Sequence, residues 1–92
     1  MRKPLRWIRQ QLMCCFIHTY TQAYHLPPTV REIGEWVGYS GMRSLQQALA
    51  DLEQQHYLTR QPGSRRSIVL TAKGVAVAER WQLLVPVREA PV

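Results

Sequence analysis

Arg43, Ser44, Gln46 and Gln47 carry side chains suited to one kind of chemistry, the reading of hydrogen-bonding base edges. An arginine fork matches the two acceptors of guanine and a glutamine amide matches the donor and acceptor of adenine, provided an exposed helix delivers them from its N-terminal part. The same residues are also good solvated helix formers, so residue type alone leaves both readings open. Other chemistries find less support. Cys14 and His18 stand one helical turn apart, a spacing that suits two metal ligands, but His25 and His56 supply no second pair at a recognisable interval. Ser44, Ser64 and Ser67 have no identifiable partnered base, and no phosphate-cradling loop motif occurs. The expectation is no enzyme, no cofactor, no metal and no inferable small-molecule ligand.

Two helices and a tight turn must position those residues. Thr29 and Glu32 have the spacing of a capping box, and Pro27 and Pro28 keep the preceding chain extended, so a helix begins sharply at Val30. Val30, Ile33 and Val37 share a face with Trp36 at its border, and Gly38 is suited to the left-handed closing position. Gly34, in the middle, costs roughly 1 kcal/mol against alanine, which a close helix crossing would explain. After a turn at residues 39–41, a second helix is predicted over about 42–56. Leu45, Leu49 and Leu52 fall within about 60° on its wheel and point inward, leaving Arg43, Gln47 and Gln54 outward with Gln46 and Ser44 on the flanks.

Upstream, residues 5–24 read as one long helix with Ile8, Leu12, Phe16 and Tyr20 as its apolar stripe and Cys15 beside them. Leu26, in the connector, is expected beneath the second helix. Downstream the period changes from helical to alternating: residues 57–61 read as a strand, Pro62, Gly63 and Ser64 as a turn, and residues 67–70 as the returning strand. Arg60, Arg65 and Arg66 crowd this hairpin with no acid nearby in sequence, more positive charge than solubility needs, although charges of that kind also discourage edge pairing.

The charge balance agrees with a polyanionic partner. Twelve Lys and Arg against six Asp and Glu give a formal net charge of +6 over 92 residues, which favours nucleic acid over acidic membrane or acidic protein. Arg2, Lys3, Arg6 and Arg9 precede the helical pair, and Arg60, Arg65, Arg66 and Lys73 follow it, in two stretches without acids. Cys14 and Cys15 are helix neighbours whose side chains diverge by about 100°, so no disulfide joins them and a reducing cytoplasm fits. The apolar run at 12–17 is shorter than the core of a secretion signal, and no stretch approaches the roughly 20 apolar residues of a membrane span.

The string from Pro27, Pro28 and Thr29 through Glu32 and Ile33 to Gly38 and Tyr39, followed by the leucine-spaced helix, Tyr57, Leu58, Gly63, Arg66, Ile68 and Leu70, resembles the winged-helix DNA-binding domain of the LexA repressor family. Arg9, Gln10 and Gln11 resemble that family's first helix. The resemblance spans about residues 9–70 and implies a mainly α fold with a small β-hairpin: a winged helix-turn-helix with a three-helix core and a two-stranded wing. It further implies a third helix in the major groove of operator DNA, bound as a pair on a palindrome, with the wing on the backbone or in the minor groove. The family's base-reading positions fall on Gly41, Arg43, Ser44, Gln46 and Gln47, whose residues differ from the family's usual ones, so the target sequence should differ too. Backbone contacts are expected from Thr29, Arg31, Arg60, Ser64, Arg65, Arg66 and Lys73, together with Arg43.

The family's repressors carry a second domain with a self-cleavage site and a Ser-Lys pair; neither is expected within these 92 residues, so peptidase chemistry and that domain's dimer contact are not carried over. The expected division is a DNA-binding domain at 1–70 and a C-terminal helix and tail at 71–92. Thr71 can cap this last helix, and Val77, Trp81 and Leu84 form a stripe that either packs on the core or joins two copies in a homodimer. The expectation is a sequence-specific transcriptional regulator, a repressor of bacterial or phage type, cytoplasmic and on the nucleoid. The alternative is a winged-helix module that docks on a polymerase or another regulator through an apolar surface such as the Trp81 stripe.

Overall fold

The computed structural model describes residues 5–39, 41–61, 63 and 66–84, with side chains from 7 to 81 among them, and these described residues form four helices and one short hairpin. The elements run α1 (Leu5–Tyr24), α2 (Val30–Val37), α3 (Met42–Gln54), β1 (Leu58–Thr59), β2 (Val69–Leu70) and α4 (Ala72–Leu84). The three-helix core and two-stranded antiparallel hairpin are those of a winged helix.

α1 is the hub, with α2, α3, β2 and α4 all packed on it. Its buried arc is therefore wider than a single stripe: Met13, Cys14, Cys15, Phe16 and Ile17 are all buried, while Ile8 is left exposed at 37%. Phe16 stacks on Trp36 of α2 with ring centroids 5.0 Å apart. Burial pushes the Cys14 thiol up to about 12, with the neighbouring Cys15 adding to the effect. Cys15 is also raised by burial, partly offset by a hydrogen bond with Thr19. Leu26 does not pack beneath α3, the second helix of the pair. It is 40% exposed, and the fully buried residue of the connector is Pro28.

Helix ends follow local chemistry. The Thr29 hydroxyl accepts from the Glu32 N–H at 3.1 Å while Glu32 Oε1 accepts from the Thr29 N–H at 2.8 Å, the capping box expected there. Gly38, at φ 88°, closes α2 with its own N–H and that of Tyr39 on the Gly34 carbonyl. α3 ends two residues earlier than the leucine pattern suggests, because His56 takes φ 67° and the Tyr57 N–H returns to the Leu52 carbonyl at 2.9 Å. That return bond is the Schellman closure.

The wing ladder is also shorter than alternation suggests, pairing only Leu58 with Leu70 and Thr59 with Val69. Beyond it the Ser67 side chain takes over from the backbone. Its Oγ accepts from the Gln61 N–H at 3.0 Å and donates to the Gln61 carbonyl at 3.1 Å. Thr71 then starts α4, its Oγ accepting from the Gly74 N–H at 3.2 Å and donating to the His56 carbonyl at 2.6 Å. α4 lies along α1: Ala78 joins the core, Val77 packs against it, and the Trp81 indole N–H donates to Gln11 Oε1 at 2.6 Å. Thus Val77 and Trp81 have packing roles within one chain, and the Leu84 side chain lies outside the described residues. No helix among the described residues is long and apolar enough to cross a membrane.

Candidate nucleic-acid interface

α3 is seated by its inner face and bare on the other. Leu45, Ala48, Leu49 and Leu52 are buried, whereas Gly41, Met42, Arg43, Ser44, Gln46 and Gln47 are all exposed. The crossing with α2 is close: a Cβ at Gly34 would come within 2.6 Å of Leu45 Cδ2. That proximity accounts for the glycine. It also sets the N-terminal turn of α3 beside α2, with an open cleft of about 210 Å³ between them lined by Arg31, Gly34, Glu35, Tyr39, Gly41, Met42 and Leu45. The Arg9 guanidinium stands over the Tyr39 ring, 5.4 Å from its centroid.

Gly41 caps α3 in an extended conformation and offers no side-chain cap. The first-turn N–H groups of such a helix end face outward, where the helix dipole favours an anion. Arg31 and Arg43 are exposed around the same end, with no acid in the first turn of α3. The arrangement can hold a phosphate chain at the helix start and project amides and a guanidinium beyond it.

The wing arginines behave differently from their sequence context. Arg60 is not without an acid: its Nε donates to Glu53 Oε1 at 3.2 Å and its Nη1 to Gln46 Oε1 at 3.1 Å. Arg66 is likewise paired, its Nη1 reaching Tyr20 Oη at 3.3 Å, the Pro27 carbonyl at 2.9 Å and Glu32 Oε1 at 3.2 Å, its Nη2 reaching Glu32 Oε2 at 3.5 Å. The compensating acids, absent from the neighbouring sequence, come from α2 and α3. Burial works against ionised Glu32, but the Thr29 N–H, Arg66 and Tyr20 together hold its carboxyl below the ordinary value. Hydrogen bonds to Tyr20 and Glu32 raise Arg66 in turn.

Lys73 donates to the Gln55 carbonyl at 2.9 Å and sits over the Tyr57 ring at 4.4 Å, so it closes the C-terminal end of α3. The Thr29 hydroxyl is engaged in its capping box. Ser64 and Arg65 lie outside the described residues. The structure thus brings Gly41, Arg43, Ser44, Gln46 and Gln47 to one exposed helix end with Arg31 beside it, and ties Arg60, Arg66 and Lys73 to other elements. Asp51, which accepts from Gln47 Nε2 at 3.2 Å, was not singled out from sequence, although its spacing of one helical turn is a readable signal.

A helix-turn-helix pair, backed by a third helix and followed by a hairpin wing, defines the winged-helix class. A family model described as the LexA DNA binding domain matches residues 3–67, and the chain belongs to that family. The LexA repressor of Geotalea uraniireducens is 37% identical over 70 residues, covering 76% of this chain and 35% of the relative. Those of Carboxydothermus hydrogenoformans and Bacillus cytotoxicus are 33% and 32% identical over 73 and 80 residues, covering 79% and 86% of this chain and 36% and 39% of theirs. The chain therefore spans little more than a third of the length of these relatives. No solved structure gave a significant match.

Proposed function

We propose that the protein is a sequence-specific double-stranded DNA-binding repressor that inserts the N-terminal half of α3 into the major groove. The observation that carries this reading is the exposed end of α3, where Arg43, Ser44, Gln46 and Gln47 stand beyond an open helix cap, in a chain of the LexA DNA-binding family. Arg31, Arg43 and the first-turn N–H groups hold phosphates and set the register. Sequence is discriminated by Arg43, Ser44, Gln46 and Gln47. Two copies on a two-fold-symmetric operator follow from this docking, since one helix reads only a half-site. Such a complex forms on the nucleoid.

Selection of bound duplexes from a random pool tests the reading. Enrichment of two half-sites related by two-fold symmetry supports both target and pairing. A pool that stays random would refute sequence-specific binding, and a single asymmetric site would refute the pairing.

A further inference from the structure

Gln46 and Gln47 are identical neighbours to which the fold gives opposite polarity. Gln46 Oε1 accepts from Arg60 Nη1 at 3.1 Å, and Arg60 is itself anchored on Glu53 at 3.2 Å. A guanidinium has donors only, so the carbonyl end of the Gln46 amide must face it. The nitrogen end meets the Met42 thioether at 4.0 Å, a weak acceptor that holds it loosely. Gln47 is turned the other way. Its Nε2 donates to Asp51 Oδ1 at 3.2 Å, and an ionised carboxylate only accepts, so one of the two amide N–H donors is committed and the amide is turned with its nitrogen toward Asp51 and its carbonyl oxygen away from it. Both glutamines are exposed on the face that Arg43 and Ser44 share.

We infer that Arg60 and Asp51 are positioning residues that fix a hydrogen-bond donor at Gln46 and an acceptor at Gln47, and so set which base edge each glutamine reads. This rests on the DNA reading above. Bonds to a charged partner are about twice as strong as neutral ones, so a base edge competes poorly for the amide end already held. Adenine in its two-bond pairing needs both ends of one amide, and the Gln46 oxygen is turned toward Arg60 with one lone pair engaged. Gln46 therefore takes a base that offers an acceptor in the groove, the keto oxygen of thymine or guanine or a purine N7, and disfavours cytosine on the strand it faces. Gln47 takes one that offers an amino group, adenine or cytosine. Arg60, expected from sequence to lie on the phosphate backbone, acts here through Gln46.

The test is duplex selection repeated with variants, using Gln46→Ala and Gln47→Ala to locate the two positions. Arg60→Ala should relax the preference at the Gln46 position by roughly tenfold, the size of one mismatched pair, and leave the Gln47 position as it was. Arg60→Lys, which keeps a donor, should restore it. Asp51→Ala should relax only the Gln47 position. Asp51→Lys, which turns that amide round, should admit thymine or guanine on the same strand, bases that the outward oxygen of Gln47 disfavours. A residue that merely supported the fold would change binding to all sequences alike, and that uniform change, or an unaltered base with Asp51→Lys, would overturn the inference. Wild-type protein that enriches nothing would remove the DNA reading itself, a result distinct from either.

Discussion

Glu32 joins three parts of the chain through one carboxylate. It caps α2 by accepting from the Thr29 N–H, receives the Tyr20 hydroxyl of α1 at 3.1 Å, and holds Arg66 of the wing. Its folded pKa lies below the ordinary value, so the contribution is present above about pH 4.3, where the unfolded carboxyl ionises, and is lost as pH falls through the folded value. Denaturant midpoints followed from pH 7 to pH 3 should fall more for wild type than for Glu32→Gln, which keeps the capping oxygen but not the charge. Parallel curves would mean the ion pair contributes nothing. Sequence spacing revealed the capping half of this arrangement because Thr29 and Glu32 are three residues apart. Arg66, 34 residues away from Glu32, was invisible to it.

Among the elements, local signals were the legible ones. The start of α2, the glycine at its end, the close crossing at Gly34 and the inward leucines of α3 are decided within a turn or two of chain. α1 was read as a stripe because the sequence cannot say how many neighbours a helix will have; packed on several sides, it buries five consecutive residues. Strand length was overestimated for a related reason: Ser67 satisfies Gln61 where a ladder would have continued. α4 starts against the residue that precedes β1: a Cβ at Gly74 would collide with the Tyr57 carbonyl oxygen, already the acceptor for the Thr71 N–H. The obstacle is backbone and cannot swing aside. Gly74→Ala should therefore cost roughly 3 kcal/mol and lower Tm by 10 °C or more, as read by thermal denaturation. An unchanged Tm would mean that α4 is not fixed against the hairpin.

For the molecule as a whole, the count of twelve Lys and Arg overstates what is free to meet DNA, because Arg60 and Arg66 each hold an acid of the recognition pair. Arg31 and Arg43 stand exposed around the start of α3. Placement of that helix end in the groove is the central claim, and it can be measured by proximity. Cys14 and Cys15 are buried with raised thiol pKa values, so an exposed Ser44→Cys offers the one reactive site for a DNA-cleaving iron chelate. On the selected duplex, the account predicts strand cuts confined to the two half-sites. Cuts spread evenly along the duplex, or none while the labelled protein still binds, would contradict it.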